Sequence, residues 1–332
     1  MSAKTSGTNI QTTVSPPVPQ PRNPTACWHW KRIVPFFIFS IIGWSIFVIC
    51  ETVPLFSPQG FFCKDPALSF KYQKSTVGDL EIIVAGFGLP FIFIMVVEQL
   101  TVPLKKESNM RRDGANQALV WYMNYLSGAA LVGATVNVIK VSYGEPRPHF
   151  FDTCEPKEAK NCTENTYIYK FTCTGKRTSK YLDSNLSFPS GHAAVSFYMF
   201  TYLAWHLQKR LKIVCSLSKL WMQTVLFVLA CFVSISRITD HRHNWWDVLI
   251  GSILGIVSGG IAVKYLSNNF NWMDYLKSDP KFKPPNSEIS AANLHPPVQP
   301  SPAVAQQPAI KTVKPDTSLI KTQNPDHQKR DP

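Results

Sequence analysis

The sequence predicts an all-α integral-membrane fold, with six transmembrane helices forming one core between two disordered tails. Three observations carry this. The chain has 332 residues and is 45% hydrophobic, yet the apolar residues concentrate in a middle region, residues 27–276. That region divides into six apolar windows close to the ~20 residues needed to cross the hydrocarbon layer. Its basic residues fall in short clusters between those windows, the pattern of the cytoplasmic loops of membrane proteins.

Taken in chain order, residues 1–26 are polar and Pro-rich and cannot bury enough apolar surface to order themselves. The first window, Ile33–Val53, has no small-residue cleavage site behind it and reads as a retained signal anchor. The second is Ile82–Leu104 and the third Ala118–Ile139. The fourth, Ala193–Leu207, has a polar entrance. The fifth is Leu220–Ile235 and the sixth Val248–Leu266. Pro35, Pro90, Gly128, Gly133, Gly259 and Gly260 interrupt these windows, as membrane helices tolerate where neighbours pack closely. Gly251 and Gly255 form a small-xxx-small pair, read as a packing face within the molecule. Residues 277–332 are a second Pro-rich tail, expected to be flexible and solvated.

Loop charges set the orientation. With both termini cytoplasmic, the inner loops at 105–116 and 208–219 carry Lys105, Lys106, Arg111 and Arg112, then Lys209, Arg210 and Lys212. The loop at 140–189 is then extracellular or lumenal. Asn161-Cys-Thr163 is a glycosylation acceptor on that side; a second match, Asn185-Leu-Ser187, lies close to the membrane mouth. Cys63, Cys154, Cys162 and Cys173 also fall outside, where oxidation favours one or two disulfides of open connectivity. The formal net charge is +13, but its clustering excludes a nucleic-acid face. The expected partner is the membrane. Plasma membrane or endomembrane stays open, and a homo-oligomer is compatible with the sequence.

Three polar clusters share the outer side: Lys140 to Pro148, Pro189 to His192, and Ser236 to Asp247. Lys140, Arg147 and Arg237 are cations at a membrane boundary, costly there unless they meet water or an anion. Arg offers a fork of donors and Lys a point charge, both suited to a phosphate dianion. Ser190 and Gly191 stand where a helix starts after Pro189, so free N–H groups and the helix dipole favour an anion there. His243 and Asp247 are spaced i, i+4. A carboxylate on one ring nitrogen fixes the tautomer and leaves the other lone pair outward, preparing a nucleophile for phosphorus. His192 then serves as proton donor to the leaving alkoxide and acceptor from water. No metal or cofactor is needed for these steps.

Each of these residues has an ordinary alternative: a snorkelling lysine, arginines on lipid headgroups, Asp247 as a helix cap. The alternatives explain single residues but not the whole set on one face. Asp240, His241 and Arg242 in the same loop read as bystanders; His241 is six residues from Asp247 and fits one helical face less well. A metal site built on His192, His241, His243 and Asp247 lacks HExxH or a tight ligand pair on one helix. Glu98, the best intramembrane charge for a transporter, lies toward the cytoplasmic end of its window.

At these residues the sequence resembles the lipid phosphate phosphatases, the integral-membrane type 2 phosphatidate phosphatases. The family pattern K-x6-RP, PSGH and SR-x5-H-x3-D is met by Lys140 through Arg147-Pro148, by Pro189 to His192, and by Ser236-Arg237 through His243 to Asp247. The resemblance spans residues 33–266, with "RPHFFDTC" and "WWDVLIG" flanking the motifs, and covers neither tail. It implies a six-helix core with an outward site and metal-independent hydrolysis of phosphatidate, lysophosphatidate, ceramide 1-phosphate and sphingosine 1-phosphate. It also implies His243 as nucleophile, Asp247 as its partner, His192 as acid and base, and Lys140, Arg147, Ser190, Gly191 and Arg237 on phosphate. The same signature occurs in phosphatases of sugar phosphates and polyisoprenyl diphosphates. A non-catalytic lipid-binding membrane protein is the alternative from another class.

Overall fold

The computed structural model describes residues 30–52, 59–101, 108–175, 183–212 and 215–271. Both expected tails lie outside these residues. Six long helices dominate: α1 (Trp30–Thr52), α2 (Asp79–Thr101), α3 (Ser108–Tyr143), α5 (Gly191–Arg210), α6 (Ser216–Thr239) and α7 (Trp245–Ile261), with a short α4 (Phe150–Cys154) between α3 and α5. Their ends follow local chemistry. Asp79 and Glu81 occupy the first turn of α2, where the helix dipole favours acids. Lys209 and Arg210 close α5. Asn244 and Asp247 form a reciprocal capping box at the start of α7, satisfying two orphan N–H groups.

Among the described residues, four stretches are long and apolar enough to cross a membrane: α2, residues Gly114–Tyr143 of α3, α6, and Trp245–Leu266. The chain is thus an all-α membrane protein. The expectation of six spans is not met helix for helix by that measure. α1 has a shorter apolar stretch, Phe36–Cys50. α5 carries Ser196, His206 and two terminal cations, and it lies inside the bundle with Ala193, Ala194, Tyr198, Tyr202 and Leu203 buried. A helix surrounded by other helices has little lipid contact and needs no apolar surface. The outward faces of the peripheral helices, by contrast, expose Phe39, Ile41, Ile92, Val225, Phe232 and Val257.

Close packing around α5 depends on glycines in α7. A Cβ on Gly251 falls 2.4 Å from the Ser190 carbonyl oxygen, one on Gly255 2.3 Å from that of Ala194, and one on Gly259 2.7 Å from Thr201 Cβ. The i, i+4 stripe therefore lets α7 lie directly on the α5 backbone, as the Gly251/Gly255 spacing suggested. Buried tyrosines lock the other contacts: Tyr198 Oη donates to the Tyr125 carbonyl at 2.6 Å, Tyr202 Oη to that of Trp121 at 2.7 Å, and Tyr125 Oη to that of Gly86 at 2.8 Å. At the far end of α5, Glu98 is fully buried and accepts from Arg210 at 2.7 and 2.8 Å, with His206 Nε2 at 2.9 Å. Glu98 is a paired structural charge, which removes it as a transport residue.

Over the opposite end sits a small cap. Strand β1 (Phe61–Phe62) pairs antiparallel with β2 (Tyr167–Ile168), around a core of Phe61, Leu68, Phe150 and Cys154. Two disulfides close it, Cys63–Cys162 and Cys154–Cys173, so all four expected cysteines pair and the open connectivity is resolved. Asn161, between these bridges, is exposed. In the second acceptor match, Asn185 is half-buried and Ser187 fully buried.

Candidate active site

The start of α5 is built as the motif suggested. Ser190 is the N-cap, with extended backbone. Its N–H is taken by the Asp247 carbonyl at 3.0 Å, which ties the first turn of α5 to that of α7. Its hydroxyl is fully buried, does not cap the helix and has no hydrogen-bond partner among the described residues. A buried polar group is rarely left unmade; here the hydroxyl lies at a helix N-terminus, where an anion would supply the acceptor. A Cβ on Gly191 would make ordinary contact with Val136 Cγ1 at 3.8 Å and Lys140 Cε at 3.9 Å, so this glycine lies beside the lysine stem. Lys140 is itself nearly buried and donates to the Leu186 carbonyl at 2.9 Å.

His243 precedes α7 in a tight turn. His241 takes a left-handed φ of 51°, and the N–H groups of Arg242 and His243 both reach the Arg237 carbonyl, at 3.0 and 3.2 Å. His243 Nδ1 lies 3.5 Å from Asp247 Oδ2, beyond the ~2.7–3.2 Å of a formed N–H···O bond. The same carboxylate oxygen accepts shorter bonds from Ser187 Oγ at 2.6 Å and from the Asn244 N–H at 2.9 Å. Asp247 therefore both caps α7 and faces the imidazole. Burial first, then the fields of Arg147, Lys140, His192 and Arg237, hold the His243 pKa well below the ordinary histidine value, so the ring is neutral at pH 7 and a lone pair is available.

The arginines differ. Arg147 points largely at protein: Nε donates to the Asp183 carbonyl at 2.9 Å, Nη2 to the Asp183 carboxylate, and Nη1 to the Arg242 carbonyl at 3.4 Å. Arg237 is nearly buried and donates from Nη2 to Asp240 Oδ2 at 3.0 Å and to Ser236 Oγ at 3.1 Å. All eight predicted site residues gather at one end of the bundle. Five of the eight, Lys140, Arg147, His192, Arg237 and Asp247, are joined to His243 by contact or by electrostatic influence. Ser190 joins through Asp247 and Gly191 through Lys140.

Sequence reasoning missed the residues that precede α2. His192 Nε2 lies 3.4 Å from the Gly78 carbonyl and 3.7 Å from Asp79 Oδ1. Arg242 stacks over Tyr72 at 4.1 Å and donates to Tyr72 Oη at 2.7 Å and to the Gln73 carbonyl at 3.1 Å. Phe70 stacks on His241 with ring centroids 4.2 Å apart. The supposed bystanders of the 240–242 turn thus bind this strap. Ser187 and Glu145 were missed as well. Glu145 Oε1 accepts from Trp246 Nε1 at 3.0 Å. Burial and then the nearby Asp247 push its carboxyl up to about 7. Their only sequence signal was position inside or beside a motif.

Residues 121–271 match the PAP2 superfamily, a span that holds every predicted site residue. A Caenorhabditis elegans protein named phospholipid phosphatase homolog 1.2 homolog is 33% identical over 237 residues, covering 66% of this chain and 68% of the relative. Phospholipid phosphatase 1 of Rattus norvegicus is 31% identical over 219 residues, 64% of this chain and 76% of the relative. A Drosophila melanogaster protein named for phosphatidate phosphatase activity is 31% identical over 239 residues, and there the match spans 62% of the relative's length. No solved structure matches the chain.

Proposed function

The chain belongs to the PAP2 superfamily, and from that membership we propose that it is an integral-membrane lipid phosphate phosphatase. Its substrates are phosphomonoesters of lipid alcohols: phosphatidate, lysophosphatidate, ceramide 1-phosphate or sphingosine 1-phosphate. The observation that carries this reading is that the buried Ser190 hydroxyl, without a partner among the described residues, stands at the α5 N-terminus, at the end of the bundle that also buries Lys140, Arg147, Arg237 and His243. Neutral histidine attacks phosphorus; the cations stabilise the charge on the phosphoryl oxygens.

In the proposed reaction the phosphate lies on the α5 N-terminus, accepting from the Ser190 hydroxyl and from the N–H groups of Gly191 and His192. Lys140 and the free edge of Arg237 hold its oxygens, and Arg147 acts from behind through its field. His243 Nε2 attacks phosphorus while the P–O bond to the lipid breaks. His192, protonated beside the phosphate dianion, gives its proton to the departing alkoxide. Asp247, fixed by Ser187 and Asn244, stabilises the charge that develops on His243. Water then attacks the phosphohistidine, His192 takes its proton, and inorganic phosphate leaves. No step uses a metal.

The two disulfides of the cap support an oxidising side for the site, hence an extracellular or lumenal face with both termini cytoplasmic and Asn161 open to a glycan. The test is phosphate release by the full chain in detergent, with chelator, on the four lipids, glucose 6-phosphate and a polyisoprenyl diphosphate. Turnover of the lipids that is lost in His243→Ala supports the reading. Loss on chelation would overturn the metal-free route, and preference for glucose 6-phosphate the lipid assignment.

A further inference from the structure

Asp240 stands at the C-terminal end of α6, the place where the helix dipole disfavours an acid, and it is nearly buried. A carboxylate there needs a reason, and its partners supply one. Oδ2 accepts from Arg237 Nη2 at 3.0 Å and from the Thr76 N–H at 2.7 Å; Oδ1 accepts from Thr76 Oγ1 at 2.8 Å. Both oxygens are thus engaged, one side on the arginine and the other on a threonine 164 positions earlier in the chain. Thr76 is in turn held in place. In the strap that carries it, the Phe70 N–H donates to the Pro148 carbonyl at 3.1 Å and the Tyr72 N–H to Asp152 Oδ2 at 3.0 Å.

The arginine side is equally specific. A guanidinium has five N–H donors in a fixed fork. Nε and Nη2 of Arg237 turn to Ser236 Oγ and Asp240, and no described residue takes a hydrogen bond from Nη1. The guanidinium is therefore gripped along one edge and presents the other. Without the Thr76 hydroxyl, Asp240 Oδ1 loses its partner; without Asp240, the guanidinium keeps only the Ser236 hydroxyl among the described residues.

We propose that Thr76 and Asp240 are positioning residues for phosphate: they act in series to hold Arg237 so that its Nη1 edge meets the substrate's phosphoryl oxygens. The proposal rests on the phosphatase reading for its substrate. It adds that the segment before α2 belongs to the phosphate site, although it lies outside the three motifs.

The experiment measures two things on full-length protein in detergent: KM and kcat for a short-chain phosphatidate, and the affinity for inorganic phosphate from the shift it gives in thermal unfolding. Asp240→Asn raises KM and the phosphate dissociation constant about tenfold, Asp240→Glu recovers part of this, and Thr76→Val raises both about threefold. Because the residues act in series, Thr76→Val/Asp240→Asn is no worse than Asp240→Asn alone. Unchanged phosphate affinity in Asp240→Asn, or independent multiplication of the two effects, would overturn the proposal. If Asp240→Asn does not fold, the nearly isosteric Thr76→Val decides by itself: unchanged phosphate affinity there is equally fatal. If the parent chain binds phosphate but turns over no lipid, the phosphatase reading fails while the phosphate arm still judges the positioning.

Discussion

Replacing Gly251 by alanine tests whether the glycine stripe of α7 sets the site. The added Cβ falls 2.4 Å from the Ser190 carbonyl oxygen, where ordinary contact begins at 3.4 Å, so the two must separate by 3.4 − 2.4 = 1.0 Å. The obstacle is backbone, not the end of a flexible side chain, and the same carbonyl accepts the Ala194 N–H at 3.1 Å in the first turn of α5. Relief therefore moves Ser190, Gly191 and His192 relative to His243. A displacement of ~1 Å at reacting groups costs about a hundredfold in rate, and overpacking adds ~1–3 kcal/mol of destabilisation. The assay is kcat on a short-chain phosphatidate, with membrane retention measured alongside. Gly251→Ala should lose about two orders of magnitude in kcat while remaining in the membrane fraction. Gly260→Ala, whose Cβ meets nothing within 4 Å, should behave as the parent. Parent-like kcat in Gly251→Ala would refute the claim that close approach at Gly251 sets the position of the first turn of α5.

Ser187→Ala removes the 2.6 Å bond to Asp247. Hydrogen bonds to charged groups contribute about 1.5–3 kcal/mol, so kcat should fall at least about tenfold, and steady-state rates at saturating lipid check this. Glu145 carries a folded pKa raised to about 7; it is protonated below that pH and negative above it, beside a site that takes a dianion. Glu145→Gln should therefore lower KM at pH 8 and leave it unchanged at pH 6. The substrate's own second ionisation is common to both proteins, so the ratio of their KM values isolates the carboxyl; a flat ratio from pH 6 to 8 would discount it.

Much of the site was legible because charges at the ends of apolar windows stand out. Lys140, His192 and Arg237 each stand at the outer edge of a greasy run, and Arg147 follows Lys140 in the same polar cluster. Ser190 and Asn244 are standard helix-start residues, and α5 and α7 begin directly after them. The strap was not legible. Thr76, Tyr72 and Gly78 reach their partners across 164, 170 and 114 positions, and nothing local to an ordinary polar loop encodes such a contact. Cys63 was the one hint, since a second disulfide on the outer side would tie its segment to the 140–189 loop, as Cys63–Cys162 does. Hydropathy singles out four of the six expected spans among the described residues for a related reason. Hydropathy reports contact with lipid, and α5 is central to the bundle, so its sequence is set by neighbouring helices. Asp240 was set aside with the rest of its loop, because nothing in the sequence relates it to Thr76, 164 positions earlier.

The central claim, covalent transfer of phosphate to His243, is tested most directly by trapping. Full-length protein is mixed with phosphatidate labelled at phosphorus, quenched during turnover, and digested. The label should appear on the peptide containing His243, stable to alkali and labile to acid as a phosphohistidine is, and should vanish in His243→Ala. Turnover with no label on the parent protein, or label that persists in His243→Ala, would contradict the mechanism.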